Sequence, residues 1–121
     1  MGRPNHFEIP VDDPDRAEQF YAKAFGWTFN RFEGAPEYYG LANTGETNPG
    51  INGALYQRGT DTPVVLTMSV ESVDESLAQI EALGGKVVHP KSAIPAMGWY
   101  ANVDDTEGNR IGIFQVDGGA A

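Results

Sequence analysis

Two stretches of 20 residues decide the fold: Ile9–Thr28 reads IPVDDPDRAEQFYAKAFGWT, and Met68–Val87 reads MSVESVDESLAQIEALGGKV. Aligned at an offset of 59 residues, they keep their apolar, helix-start and glycine positions in step, although few residues are identical. The same offset places Ile51–Leu55 over Arg110–Phe114. A repeat of half the chain length predicts two copies of one supersecondary unit, with a binding site where the copies meet.

The first copy begins with a strand, because apolar and polar residues alternate along Phe7–Val11. Asp13 as N-cap and Pro14 at the first helical position then predict a helix, which Gly26 ends. The aromatic residues of this helix and its exit are predicted to be core: Phe20, Tyr21, Phe25 and Trp27. Three short extended segments follow, near Trp27–Phe32, Glu37–Ala42 and Gly50–Tyr56. The first copy therefore reads βαβββ.

The second copy repeats this order. Pro63–Val70 alternates like a strand, Ser72 opens a capping box with Glu75, and Gly84-Gly85 stops the helix. The remaining segments are predicted as a strand at Lys86–His89, a Pro-containing loop at His89–Ala96, strands at Trp99–Asp104 and Arg110–Val116, and a frayed tail at Asp117–Ala121. These elements predict an α+β fold of two βαβββ modules, about residues 3–57 and 63–116, in one domain of 121 residues.

The amino-acid composition excludes several classes of binding partner and of chemical site. The formal net charge of -9 argues against nucleic acid and against anionic membranes, because both require a Lys/Arg surface. The chain has no cysteine, which excludes disulfides, thiolate metal sites and cysteine nucleophiles. The N-terminal residues lack the apolar run of a signal peptide, and no 18-residue apolar stretch occurs, so a cytoplasmic location is expected.

The paired modules resemble the vicinal oxygen chelate superfamily, whose members include glyoxalase I, bleomycin-resistance proteins and extradiol dioxygenases. The resemblance is carried by His6–Asp13, by the helix ending in Phe25-Gly26-Trp27, and by the run from Gly98 through Asp105–Asn109 to Gln115. It covers essentially the whole chain, although no single motif is specific. One departure is Thr106, where the family pattern usually has Pro; a type I turn tolerates Thr there.

The resemblance implies that two mixed sheets curl into a cup, with the helices outside and a ligand site on the concave side. Alternation in the sequence supports this orientation: the stripes of Phe7–Val11 and Leu66–Val70 are apolar and would pack under the helices. The residues predicted to line one connected cavity are His6, Glu8, Leu55, Thr67, Ser69, Tyr100, Asn102, Arg110 and Phe114. Tyr38 and Tyr39 are adjacent, so one of them should face the cavity, and the sequence leaves open which one.

Metal-dependent relatives place one ligand on the first and last strand of each module. On this chain the resemblance puts those points at His6, Gly53, Val65 and Gly112, of which only His6 can coordinate. One imidazole, even with Glu8 nearby, falls short of the three or four protein ligands that Zn, Ni or Fe needs. We therefore predict no metal site and no cofactor, which argues against metal-dependent glyoxalase and dioxygenase chemistry.

The sequence supports three hypotheses of function. The leading one is a metal-free, glyoxalase-like protein that binds a small organic molecule in the cup and either sequesters it or acts on it, with binding favoured. In the catalytic version His6 would be a general base oriented by Glu8. The alternatives are a metal-dependent lyase, isomerase or dioxygenase of the same superfamily, and an interaction domain whose cup is filled by its own side chains. A homodimer is expected, because sheet edges need protection.

Overall fold

The structure is a computed structural model that describes residues 2–121. The chain forms two compact units: Asn5–Val64, the first unit, and residues 2–4 with Val65–Ala121, the second unit. The elements are β1 Arg3–Val11, α1 Pro14–Phe25, β2 Thr28–Arg31, β3 Tyr39–Asn43, β4 Asn52–Gln57, β5 Val65–Ser69, α2 Val73–Ala82, β6 Lys86–Ile94, β7 Gly98–Asp104 and β8 Arg110–Val116. The predicted α+β fold of two βαβββ modules is confirmed.

In the first unit the strands lie in the order β2-β3-β4-β1. β1 and β4 are parallel, and the other neighbours are antiparallel. Phe7 lies on the face that α1 covers: its ring is 5.3 Å from that of Trp27, which stacks on Tyr21 of α1 at 4.7 Å. Residues His6 and Glu8 alternate with Phe7, so they occupy the opposite face.

The predicted ends of α1 are confirmed. The Asp13 carboxylate accepts a hydrogen bond from the Arg16 N–H at 3.1 Å, and Gly26 takes the left-handed conformation with φ of 77°. Sequence reasoning was wrong to place Phe20 and Phe25 in the core, because they are 59% and 63% exposed. The apolar stripe of α1 is wider than the face that the sheet covers, so its outer members remain at the surface.

In the second unit the strands lie in the order β5-β8-β7-β6, and β5 and β8 are parallel. The Ser72 hydroxyl caps α2 by accepting from the Glu75 N–H at 3.1 Å, as the sequence predicts. Val73 at the start of α2 is fully buried, and its N–H donates to the Gln115 side chain of β8 at 2.9 Å. This contact fixes the start of α2 on the face of β8 that carries Gln115.

Two predictions for the second unit were wrong. The segment predicted as a loop from His89 continues β6, which pairs with β7 as far as Ile94 through two register shifts, and the shifts accommodate Pro90 in an edge strand. The tail predicted to fray is tied down: the Asp117 N–H donates to the Met97 carbonyl at 3.0 Å, and Ala120 is 4% exposed.

The internal repeat changes its offset between the first and last strands of the modules. Phe7 and Leu66 are 59 residues apart, but their strand partners Gly53 and Ile111 are 58 apart. Leu55 therefore pairs with Ile9 and lies under α1, fully buried, and its prediction as a cavity residue was wrong. A one-residue slip in a strand exchanges the two faces, which is why this single offset error moved Leu55 to the wrong side.

Neither of the two helices within residues 2–121 combines the length and apolar character that crossing a membrane requires.

Candidate functional site

Three polar side chains form a connected cluster on the face of the first unit's sheet that α1 leaves open, called here the His6 face. The Tyr39 hydroxyl donates to the Glu8 carboxylate at 2.5 Å, and it lies 2.8 Å from Nε2 of His6. His6 Nε2 and Glu8 Oε2 are 3.8 Å apart. The side chains of His6 and Glu8 are 29% and 26% exposed, so the cluster is partly buried and still open to a ligand.

The strand register brings the cluster together. His6 and Glu8 are two residues apart on β1, so they point to the same side, and Tyr39 is the first residue of β3. β4 lies between these strands, and its residue opposite Glu8 is Ala54. Because alanine is small, the Tyr39 ring can reach across β4, a distance of about 10 Å between strands two places apart.

The structure decides between the two adjacent tyrosines. Tyr38 donates to the Glu18 carboxylate of α1 at 2.6 Å, and the Arg31 guanidinium lies 5.1 Å from the centre of its ring. Tyr39 points the other way and joins the cluster with His6 and Glu8. Alternation along a strand means that Tyr38 and Tyr39 face opposite sides of the sheet. Which of them faces His6 depends on how β3 is aligned with β4, and the sequence does not give this alignment.

The electrostatics of the cluster favour an ionised carboxylate. Burial acts to raise the pKa of Glu8, but the interactions with His6 and Tyr39 oppose it and together hold this pKa below its usual value of 4.5. Burial, with the neighbouring Glu8 charge and hydrogen bond, raises the pKa of the Tyr39 hydroxyl far above its usual value. At neutral pH the cluster therefore presents a carboxylate and a protonated tyrosine hydroxyl.

The second unit carries its predicted site residues on one face of its own sheet, called here the Tyr100 face. The pairing of β5, β8 and β7 places three residues side by side on that face: Ser69, Phe114 and Tyr100. The next row on the same face consists of Thr67, Gly112 and Asn102. The register partner of Arg110 is Asp104, and their side chains form an ion pair at 2.7 Å. The predicted residues that share this face are Thr67, Ser69, Tyr100, Asn102, Arg110 and Phe114.

His89 adds a ring to the Tyr100 face that sequence reasoning missed. Its imidazole stacks on Tyr100 at 5.2 Å with the planes 10° apart, and Ser92 Oγ lies 3.2 Å from its Nε2. His89 was missed because β6 was predicted to end there. Since β6 continues past His89, its pairing with β7 places His89 opposite Asn102 and beside Tyr100. The Tyr100 face is thus richer in aromatic surface than predicted.

The donor set does not fit a metal ion. His6 is already engaged with Tyr39, and Val65 and Gly112 carry no ligand atom in their side chains. The assignment of Gly53 to a site shared with His6 was wrong, because a Cβ there would point at the Phe7 ring, 2.5 Å from its atoms, on the helix-covered face. The β4 residues opposite His6 and Glu8 are Asn52 and Ala54. Within residues 2–121 no three His, Cys, Asp or Glu side chains gather closely enough to hold a metal.

The chain is similar to a known protein family and to curated proteins. Residues 3–113 match the family model described as the glyoxalase/bleomycin resistance protein/dioxygenase superfamily. Two curated relatives, CFP32 of Mycobacterium bovis and of Mycobacterium tuberculosis, are provisionally named glyoxylases and are 28% identical over 122 residues, 97% of this chain and 47% of theirs. The chain therefore spans about half the length of these curated relatives.

Solved structures share the fold at low sequence identity. The hypothetical protein BH1468 of Bacillus halodurans superposes with a TM-score of 0.76 at 12% identity, covering 97% of this chain and 96% of that one. A methylmalonyl-CoA epimerase of Mycobacterium tuberculosis superposes with a TM-score of 0.66 at 14% identity, covering 94% and 87%. At these identities the likeness shows the fold alone.

Proposed function

Since the chain belongs to the glyoxalase/bleomycin resistance protein/dioxygenase superfamily, we propose that it binds a small organic molecule on the His6 face without the family's metal ion. The observation that carries this proposal is the hydrogen-bonded cluster of His6, Tyr39 and Glu8. The proposal concerns this chain alone, because the curated relatives are about twice as long.

The charge state of Glu8 suits hydrogen bonding to a ligand better than proton abstraction by Glu8 itself. A carboxylate whose pKa lies below 4.5 is a weak proton acceptor at neutral pH, whereas a general base works best with a pKa near the working pH. The same ionised carboxylate is a strong hydrogen-bond acceptor. We therefore expect the ligand to carry a donor, such as a hydroxyl, amine or amide group, that contacts Glu8.

The metal-free part of the proposal rests on the donor set. Coordination through Nε2 of His6 would break its 2.8 Å contact with Tyr39, and Gly53, Val65 and Gly112 supply no ligand side chain. Metal-dependent lyase, isomerase or dioxygenase activity is the competing function, and no arrangement of the described side chains within residues 2–121 favours it.

The Tyr100 face supports the same class of ligand from the second unit's own sheet. It combines the stacked rings of His89 and Tyr100 with the ring of Phe114 and the amide of Asn102. Ligand sites for small molecules typically pair apolar and aromatic surface with a few polar groups. We expect this face to favour molecules that offer a planar or apolar surface.

The test is a chemical-shift titration of isotope-labelled protein with a set of small alcohols, amines, amides and aromatic acids. Binding should shift the amide signals of His6, Glu8 and Tyr39, and Tyr39→Phe should weaken it at least about tenfold through the loss of the hydroxyl. Tyr38→Phe is the matched control, because it removes an identical hydroxyl from the adjacent residue on the opposite face. Equal binding by both variants would refute the assignment of the site to the His6 face.

A further inference from the structure

The two helices hold equivalent positions in the internal repeat, but their outer faces differ in chemistry. On α1 the residues Arg16, Phe20 and Lys23 follow the spacing i, i+4, i+7, which aligns them in one stripe on a helix. On α2 the residues Asp74, Ala78 and Glu81 follow the identical spacing. All six are exposed. One stripe is therefore basic with a large central ring, and the other is acidic with a small central residue.

The α1 stripe has the properties of a protein-binding surface. Phe20 is 59% exposed, although an aromatic ring of this size normally seeks burial. Within residues 2–121 neither Arg16 nor Lys23 forms an ion pair, in a chain with a net charge of -9. An exposed ring between two unpaired cations is unusual for such an acidic protein, and aromatic residues rimmed by charge are typical of interface centres.

The α2 stripe complements it in charge, size and length. Asp74 and Glu81 are seven residues apart, as are Arg16 and Lys23, so each pair spans about 10 Å along its helix. Ala78 lies four residues after Asp74, just as Phe20 lies four residues after Arg16. Asp74 is bound only from one side, by Lys91 at 2.9 Å, and its side chain remains 71% exposed.

We propose that the outer stripe of α1 docks onto the outer stripe of α2 in a second copy of this chain. Phe20 packs over Ala78, where the small side chain lets the helices approach closely, as in ridge-into-groove packing. Arg16 and Lys23 pair with Asp74 and Glu81 of the second copy, which fixes the register and excludes contact between two α1 stripes of like charge.

Sedimentation analysis with a charge exchange tests this contact. We expect the wild type to self-associate at low salt and to dissociate as the salt concentration rises from about 0.05 to about 0.5 M, where screening is strong. R16E/K23E and D74K/E81K should each weaken self-association at least about tenfold. An equimolar mixture of the two variants should associate again, because every reversed stripe then meets its reversed partner.

The mixture separates a lost contact from a damaged fold, since a misfolded variant is not rescued by its counterpart. R3E/K86E is the control, because it changes the net charge by as much as R16E/K23E but alters exposed strand residues instead of α1. A wild type that sediments at 13.1 kDa under all conditions overturns the proposal. So does an assembly that both charge-reversal variants leave unchanged, or a mixture that fails to associate while each variant remains folded by circular dichroism.

Discussion

Tyr39→Phe is the sharpest perturbation of the candidate site, because it removes one oxygen atom and leaves the ring in place. The lost hydroxyl donates to Glu8 at 2.5 Å and lies 2.8 Å from His6 Nε2. The ring contact with Phe32, 6.5 Å between centroids, remains available to phenylalanine. Any loss of stability therefore reports on the polar cluster and not on packing.

The expected loss of stability follows from the two hydrogen-bond partners of the Tyr39 hydroxyl, Glu8 and His6. A hydrogen bond to a charged group contributes about 1.5–3 kcal/mol and a neutral one about 0.5–1.5 kcal/mol. Glu8 and His6 keep 26% and 29% of their side-chain surface exposed, so water can replace part of what is lost. We expect Tyr39→Phe to lower the free energy of unfolding by about 1–3 kcal/mol at neutral pH.

The pH dependence identifies Glu8 as the group responsible. Its pKa is lowered in the folded state, so its stabilising contribution is present above the unfolded value of 4.5 and is lost as the pH falls through the folded value. Removing the Tyr39 hydroxyl removes one lowering interaction and raises the folded pKa of Glu8. The stability difference between wild type and variant should therefore be largest at neutral pH and should shrink below pH 4.5.

Urea unfolding at several pH values measures this difference. Tyr38→Phe serves as control, because Glu18 keeps the Arg31 contact at 3.2 Å after the Tyr38 hydroxyl is removed. Its effect should be smaller, since the carboxylate retains a charged partner. The reasoning is refuted if Tyr39→Phe is as stable as the wild type at neutral pH, or if the difference between them is the same on both sides of pH 4.5.

Two further predictions concern the fold and use urea unfolding at neutral pH. Leu55→Ala should cost about 2–5 kcal/mol, because the side chain is fully buried under α1, whereas Leu66→Ala should cost less than about 1.5 kcal/mol, because Leu66 is 37% exposed. Equal losses in the two variants would contradict the assignment of Leu55 to the helix-covered face. Gly26→Ala should cost about 1–2 kcal/mol, because φ of 77° is unfavourable for a residue with a Cβ. A variant of unchanged stability would show that the left-handed cap is not needed.

The fold was predictable because its signals are local. Helix α1 begins after Asp13, at Pro14, and ends before Gly26, and Ser72 caps α2. Alternation along β1 places Phe7 and His6 on opposite faces of the sheet. Caps and strand periodicity act through the nearest few residues, so sequence alone carries them. This is also why the repeat was visible despite few identities.

The candidate site was only partly predictable, because it depends on register between distant strands. His6 and Glu8 follow from alternation, but Tyr39 joins them only through the pairing of β3 with β4 and of β4 with β1. Leu55 was misplaced because the last strands of the modules are offset by 58 residues and not 59. His89 was missed because Pro90 suggested a loop, whereas β6 continues past it through register shifts.

The sequence pattern also could not predict how much of the apolar stripe of α1 the sheet covers. The stripe of α1 contains more apolar residues than the sheet covers, and periodicity gives the centre of the stripe but not its covered width. Phe20 and Phe25 lie at its uncovered edge.

Native mass spectrometry of protein purified without a chelator and then dialysed tests the central claim most directly. Metal-free ligand binding on the His6 face predicts that the wild type retains a small organic molecule and no metal, and that Tyr39→Phe loses that molecule while Tyr38→Phe keeps it. A stoichiometric Ni, Zn, Fe or Mn ion on the wild type, or equal retention of the molecule by both tyrosine variants, would contradict the account.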